Sequence, residues 1–228
     1  MKVIIIGASG MVGSGALREC LNAPEVTSVR TIGRSPLNME HEKLTQSAFP
    51  DFADHPENIP AALFEDIDAC FFCLGATAAG LSEEQYAKLT YELTLKFASR
   101  LCDYSPNATF IYVSGAGADS TERSNTMWAR VRGKTENALL KLPFKQVHIF
   151  RPAIIQPLHG AQSKTTSYRY FYSLLGPVLT IARHFFPSKV LSTEIIGQAM
   201  LSISRFGTTV KVLDPPDIYA QAKLLHAK

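Results

Sequence analysis

The sequence predicts an α/β fold, a doubly wound parallel sheet followed by a small C-terminal portion, and three observations carry that prediction. Apolar runs rich in β-branched residues recur from Val3 to Phe150 and end in glycine or other small residues, as expected of strands buried on both faces. Stretches of helical periodicity alternate with them. The first unit, MKVIIIGASGMVGSGALRECL from Met1 to Leu21, runs from strand to glycine turn to helix without interruption.

In that unit Lys2–Ile6 reads as the strand and Met11–Asn22 as the helix, with Gly7, Gly10 and Gly13 between and within them. The first glycine permits a tight turn, the second allows close approach of a pyrophosphate, and the third lets the helix pack on the strand. The free N–H groups and positive end of the helix then favour phosphate without any cationic side chain. Gly7, Ser9, Gly10, Met11, Val12 and Gly13 are the candidate residues of a Rossmann-like dinucleotide site.

Pro24 ends the first helix, and Val26 to Ile32 predicts a second strand closing at Gly33 and Arg34. An acidic residue at this strand end would bind the ribose 2′-hydroxyl and repel a 2′-phosphate. No acid occurs from Val26 to Met39. Arg34 supplies a guanidinium and Ser35 a hydroxyl, so NADP is favoured over NAD. Arg30 reads as a solvated charge.

Leu44 to Phe49 predicts a third strand, Glu57 to Phe64 a short helix, and Ile67 to Leu74 the next strand. Cys70 and Cys73 form a CxxC, but three positions along a strand turn them to opposite faces, which favours buried thiols over redox or metal chemistry. Ser82 and Gln85 make a capping box opening a helix to Tyr104, with Tyr86, Leu89, Leu93, Phe97 and Leu101 on its apolar face. Thr109 to Val113 is the fifth strand, and Ser114 stands at its carboxyl end, the edge where open α/β sheets place ligands. Helical periodicity from Trp128 to Leu140, a strand from Gln146 to Arg151, a helix from Ser192 to Phe206, a strand from Thr209 to Leu213 and a terminal helix from Pro215 complete the pattern.

The glycines read GxxGxxG, as GASGMVG, and with IGRSP, FFCLGAT, YVSGAG, VRGKTE and FRPAII the chain resembles the extended and atypical short-chain dehydrogenase/reductase superfamily, of the NmrA-like and Tat-interacting-protein-like kind. The resemblance implies that Asp51 meets the adenine amine and that Leu74, Gly75 and Ala76 pass behind the nicotinamide ribose. It further implies that Ser114 hydrogen-bonds a substrate carbonyl and that Pro152, Ala153 and Ile154 flank the carboxamide. It divides the chain into a dinucleotide-binding domain, 1–156, and a substrate-pocket portion, 157–228, that does not fold alone. A homodimer through a long helix is common in the superfamily.

The superfamily's YxxxK pair falls here on Trp128 and Arg132. An indole N–H donates only and does not exchange a proton near neutral pH, and arginine neither gives nor takes one. Arg132 retains the capacity to hold a ribose. Lys134 lies two positions on, rotated by roughly 200° from that face. Tyr168, Tyr170 and Tyr172 are alternative proton donors by chemistry alone.

A chain of 228 residues, 46% hydrophobic, is long enough for one large core. A formal charge of +3 with dispersed Lys and Arg argues against nucleic acid. The sequence offers no membrane-span-length apolar run and no basic leader, so a cytoplasmic protein with little membrane association is expected. After Pro157 come the polar stretch LHGAQSKTTS and the aromatic stretch YRYFYSLLGPVLTIARHFFP, broken by Gly176 and Pro177; the resemblance implies that this portion shapes a pocket for an apolar or flat substrate, and the alternative is a surface that lies on a membrane or packs against a second subunit. Two functions fit: an NADP-dependent oxidoreductase on a small apolar carbonyl or alcohol, with Ser114 and Arg132 at the reacting end, or a non-catalytic NADP(H) sensor acting through its aromatic C-terminal surface.

Overall fold

The computed structural model describes residues 1–161 and 179–227. Seven strands form one all-parallel sheet in the order β3-β2-β1-β4-β5-β6-β9. They are β1 (Lys2–Ile6), β2 (Ser28–Gly33), β3 (Leu44–Ala48), β4 (Ala69–Phe72), β5 (Thr109–Val113), β6 (Gln146–Phe150) and β9 (Val212–Leu213). The direction of winding reverses between β1 and β4, which opens a crevice above their carboxyl ends. β7 (Ile154–Gln156) and β8 (Val190–Ser192) pair in parallel as a separate ribbon.

Helices cover both faces because every residue of β4, and four of five in β1 and β5, are buried. On one face α1 (Met11–Asn22), α5 (Thr193–Phe206) and α6 (Pro215–Ala227) pack on Val3, Ile5, Phe71 and Ile111. Residues of the last forty positions of the described chain, Ile196, Met200 and Ile218 among them, thereby share one core with β1. On the other face α3 (Leu93–Tyr104) and α4 (Met127–Leu139) cover Ile4, Ile6, Phe72 and Phe110.

Several predicted elements shift. The helix expected over Glu57 to Phe64 is two 3₁₀ turns, Pro56–Asn58 and Ala61–Leu63, because Pro60 forces the preceding Ile59 into an extended conformation with ψ 126°. Arg30 is not a solvated charge: its Nη1 donates to the carbonyls of Ala62, Leu63 and Glu65 at 3.2, 3.3 and 2.8 Å, tying these turns to β2. The Thr209 to Leu213 strand reduces to β9, and β2 begins at Ser28 rather than Val26. The helix opened by the Ser82–Gln85 capping box is interrupted, with α2 (Glu83–Ala87) joined to α3 by a π turn at Lys88–Glu92. The wider turn rotates the chain, so Thr90 is buried where Leu89 was expected and Leu89 is exposed.

Cys70 lies in the core on the α3 side of the sheet, and Cys73 packs on the α1 side, as alternation along a strand requires. The polar and aromatic stretches predicted after Pro157, with Tyr168, Tyr170, Tyr172, Gly176 and Pro177, fall mostly outside the described residues; residues 179–185 are helical. No described helix is long and apolar enough to cross a membrane.

Candidate active site

A cleft of about 930 Å³ lies over the carboxyl ends of β1, β2, β4 and β5. Its floor is the glycine turn. Gly7 has φ +83°, and a Cβ there would stand 2.7 Å from the backbone nitrogen of Leu74. A Cβ on Gly13 would stand 2.1 Å from the carbonyl oxygen of Gly7, so α1 approaches the turn as closely as backbone allows. Gly10 N–H donates to that same oxygen at 2.9 Å. No side chain caps α1 and no acid stands in its first turn, which leaves the positive helix end open to an anion.

Of the residues predicted for cofactor binding, Gly7, Ser9, Gly10, Met11, Val12, Arg34, Ser35, Leu74, Gly75, Ala76, Pro152 and Ala153 all line this cleft. Gly13 lies beneath it. Asp51 and Ile154 do not line it either: Asp51 is exposed beside it while its neighbour Phe52 forms the wall, and Ile154 turns outward on β7 at 47% exposure. Arg34 is exposed on the rim and has no carboxylate partner among the described residues.

At the other end the cleft holds Ser114, Trp128 and Arg132, together with Tyr86, which periodicity had assigned to packing. Arg132 reaches from α4 between β4 and β5: its Nη1 would lie 3.3 Å from a Cβ on Gly115, and its Nη2 3.9 Å from one on Gly75. Its Nε donates to the Tyr86 oxygen at 3.0 Å. Burial lowers its proton affinity, but Tyr112, Tyr86 and Glu136 around it more than offset this and hold it charged. The indole of Trp128 lies against Gly117, with Cη2 3.0 Å from where a Cβ would be. Lys134 turns away from the cleft, its Nζ 4.6 Å from the centre of the Tyr91 ring.

The Ser114 hydroxyl donates to Glu136 Oε1 at 2.5 Å, and both residues are buried. Glu136, one helical turn beyond Arg132, is gripped on its other side by Arg151, whose Nε lies 3.2 and 3.1 Å from its two oxygens and whose Nη2 also bonds Oε2. This pair of a buried carboxylate and a half-buried guanidinium was missed because its members come from α4 and the end of β6. Only the acid's place on the α4 face turned toward Ser114 hinted at it. No group of three metal-ligating side chains exists among the described residues.

Parallel strands in this order, with a glycine turn and an open helix end facing the crevice, define a Rossmann-type protein of the dinucleotide-binding class. No family model matches the chain. It is 30% identical over 156 residues to the protein HTATIP2 of Rattus norvegicus, a match covering 68% of this chain and 62% of the rat protein. It is 28% identical over 210 residues to the mitochondrial protein fmp52 of Emericella nidulans, covering 88% and 86% of the two chains. Among solved structures, the Bordetella bronchiseptica enzyme WbmF in complex with NAD+ superposes with TM-score 0.66 over 99% of this chain and 77% of that one, at 13% identity. The chain belongs to the atypical, extended branch of the short-chain dehydrogenase/reductase superfamily, with its Tat-interacting-protein-like members. The expectation of a cytoplasmic protein does not stand, because the relatives from Emericella nidulans, Meyerozyma guilliermondii, Debaryomyces hansenii and Saccharomyces cerevisiae are named mitochondrial.

Proposed function

We propose that the protein is an NADP-dependent oxidoreductase acting on a small, largely apolar carbonyl or alcohol. One observation carries the reading: a single cleft joins the phosphate-ready glycine turn and Arg34 to the polar cluster of Ser114, Tyr86 and Arg132. The fit to a dinucleotide rests on the Gly7 and Gly13 positions, which a Cβ would fill, and on the uncapped start of α1. Gly10 to Gly13 would hold the pyrophosphate, Arg34 the 2′-phosphate and Arg132 the nicotinamide ribose. When bound in its reduced form, the dinucleotide supplies the hydride equivalent. Between the two ends the walls are mainly Leu74, Ala76, Ala78, Ala116 and Trp128, with Thr77 among them, which favours a largely apolar substrate.

Ser114 would orient the substrate oxygen. With its proton given to Glu136, it presents an acceptor to an alcohol; it donates to a carbonyl only by turning from Glu136. The test is calorimetric titration with NADPH and NADH, followed by turnover on a panel of aldehydes, ketones and quinones. Arg34→Ala is expected to weaken NADPH by roughly ten- to a hundredfold, the worth of a charge-assisted hydrogen bond or two, and NADH far less. Equal losses would refute the phosphate site. Tight NADPH binding without turnover on any compound would favour the sensor over the enzyme.

A further inference from the structure

The superfamily's tyrosine position is a tryptophan here, so the oxidoreductase reading requires a proton donor from elsewhere in the fold. Among the described residues, the titratable side chains that line the cleft are Arg34, Cys73, Tyr86 and Arg132. A guanidinium does not serve as a proton donor in catalysis. Cys73 packs on the α1 side of the sheet, with its thiol pushed by burial up to about 12. Tyr86 remains. It is among the residues that line the cleft and is 1% exposed, its oxygen held by Arg132.

The geometry around that phenol is that of a donor held by a fixed cation. Arg132 Nε–H points to the Tyr86 oxygen at 3.0 Å, occupying a lone pair and leaving the phenolic proton free to be given to another acceptor. Its backbone is held by the Ser82–Gln85 capping box, in which Gln85 N–H donates to Ser82 Oγ at 3.2 Å and Ser82 N–H to Gln85 Oε1 at 3.0 Å. The π turn that begins two residues later lets the same helix bury Phe97 and Leu101 further along. Such turns recur at functional positions.

We propose that Tyr86, reaching across from α2, is the proton donor of this site, paired with Arg132 in place of the pair that Trp128 precludes. The proposal rests on the oxidoreductase reading above. In carbonyl reduction Tyr86 gives its proton to the substrate oxygen while a hydride, with its electron pair, reaches the carbonyl carbon from a reduced nicotinamide dinucleotide, which is oxidised. The C=O π pair becomes an O–H bond, the product is the alcohol, and the phenolate left beside the Arg132 guanidinium is reprotonated from water.

The experiment compares wild type with Tyr86→Phe, which removes one oxygen and keeps the ring in its packing. Calorimetry measures NADPH affinity and, in the presence of NADP+, the affinity for cyclohexanone as a small apolar carbonyl; kcat is measured on the best compound of the panel. Tyr86→Phe is expected to leave NADPH affinity unchanged, to weaken cyclohexanone about tenfold through the lost hydrogen bond, and to lower kcat by about a hundredfold or more. The proposal is overturned if cyclohexanone affinity does not differ between the two proteins, absence of binding to both included. It is equally overturned if the variant loses NADPH affinity but keeps kcat at saturation, since Tyr86 would then only position Arg132. A loss of kcat that follows Tyr168→Phe, Tyr170→Phe or Tyr172→Phe and not Tyr86→Phe also overturns it. Failure of wild type to turn over any compound, with the cyclohexanone difference intact, sinks the oxidoreductase reading and leaves Tyr86 as the group that meets the carbonyl.

Discussion

Ser114 and Glu136 share a hydrogen bond of 2.5 Å between the end of β5 and the middle of α4, and Arg151 closes the far side of the carboxylate. Removing the buried Glu136 leaves the half-buried Arg151 guanidinium without its partner. Glu136→Ala is expected to cost about 3 kcal/mol of folding stability, measured by urea denaturation. Glu136→Gln combined with Arg151→Met removes both charges and should recover much of that loss; a double variant as unstable as Glu136→Ala would show that the pair's charge is not what matters.

The glycine turn yields a steric prediction. Gly13→Ala places a methyl 2.1 Å from the Gly7 carbonyl oxygen and 2.7 Å from its carbon, both backbone atoms that cannot step aside alone. Stability should fall by about 1–3 kcal/mol and dinucleotide affinity by about tenfold or more. Gly33→Ala meets only Ser35 oxygen at 3.6 Å, an ordinary contact, so its stability should stay within about 0.5 kcal/mol of wild type. Parallel thermal melts of the two variants check the contrast.

What was legible in the residues was what neighbours in sequence decide. The β1–turn–α1 unit and β5 fall where their apolar runs and glycines place them, because strand burial and turn conformation are local demands. The opposed faces of Cys70 and Cys73 follow from the period of a strand. Tyr86 was hidden by its own regularity: a tyrosine in a helical apolar series reads as packing until Arg132, 46 positions away, is seen to bond its oxygen. The Ser114–Glu136–Arg151 cluster was out of reach for the same reason, with separations of 22 and 15 residues. Leu89 was misplaced because a π turn adds a residue that no periodicity of 3.6 contains.

The four thiols are expected to be inert in the folded protein. Burial raises the proton affinity of Cys20, Cys70, Cys73 and Cys102 alike, and pushes Cys73 up to about 12, so none presents the thiolate that attacks a disulfide reagent. All four should react together, at the rate of global unfolding, when denaturant is added. A fast native phase that Cys70→Ala or Cys73→Ala abolishes would mean that the CxxC is reactive after all.

The loop from Ser114 to α4 carries an acid sensor of its own integrity. The Asp119 carboxylate accepts from Thr121 Oγ1 at 2.7 Å and from the backbone N–H groups of Thr121, Arg123 and Ser124 at 2.9, 2.9 and 2.7 Å. These bonds, those from Thr121 foremost, bring its pKa down to about 2 from the usual 3.8. A depressed acid contributes stability that is fully present above its unfolded value and is lost as pH falls through its folded one. The loop should therefore hold at neutral pH and loosen between about pH 4 and about pH 2. Asp119 N–H also donates to Ala129 oxygen at 3.0 Å, and a Cβ on Gly133 would come 1.7 Å from Asp119 oxygen, so a loosened loop frees the start of α4 that carries Trp128 and Arg132. Amide resonances of Thr121, Arg123 and Ser124 should titrate together in that window in wild type and stay flat in Asp119→Asn, and a shared midpoint near the ordinary carboxylate value would refute the clamp.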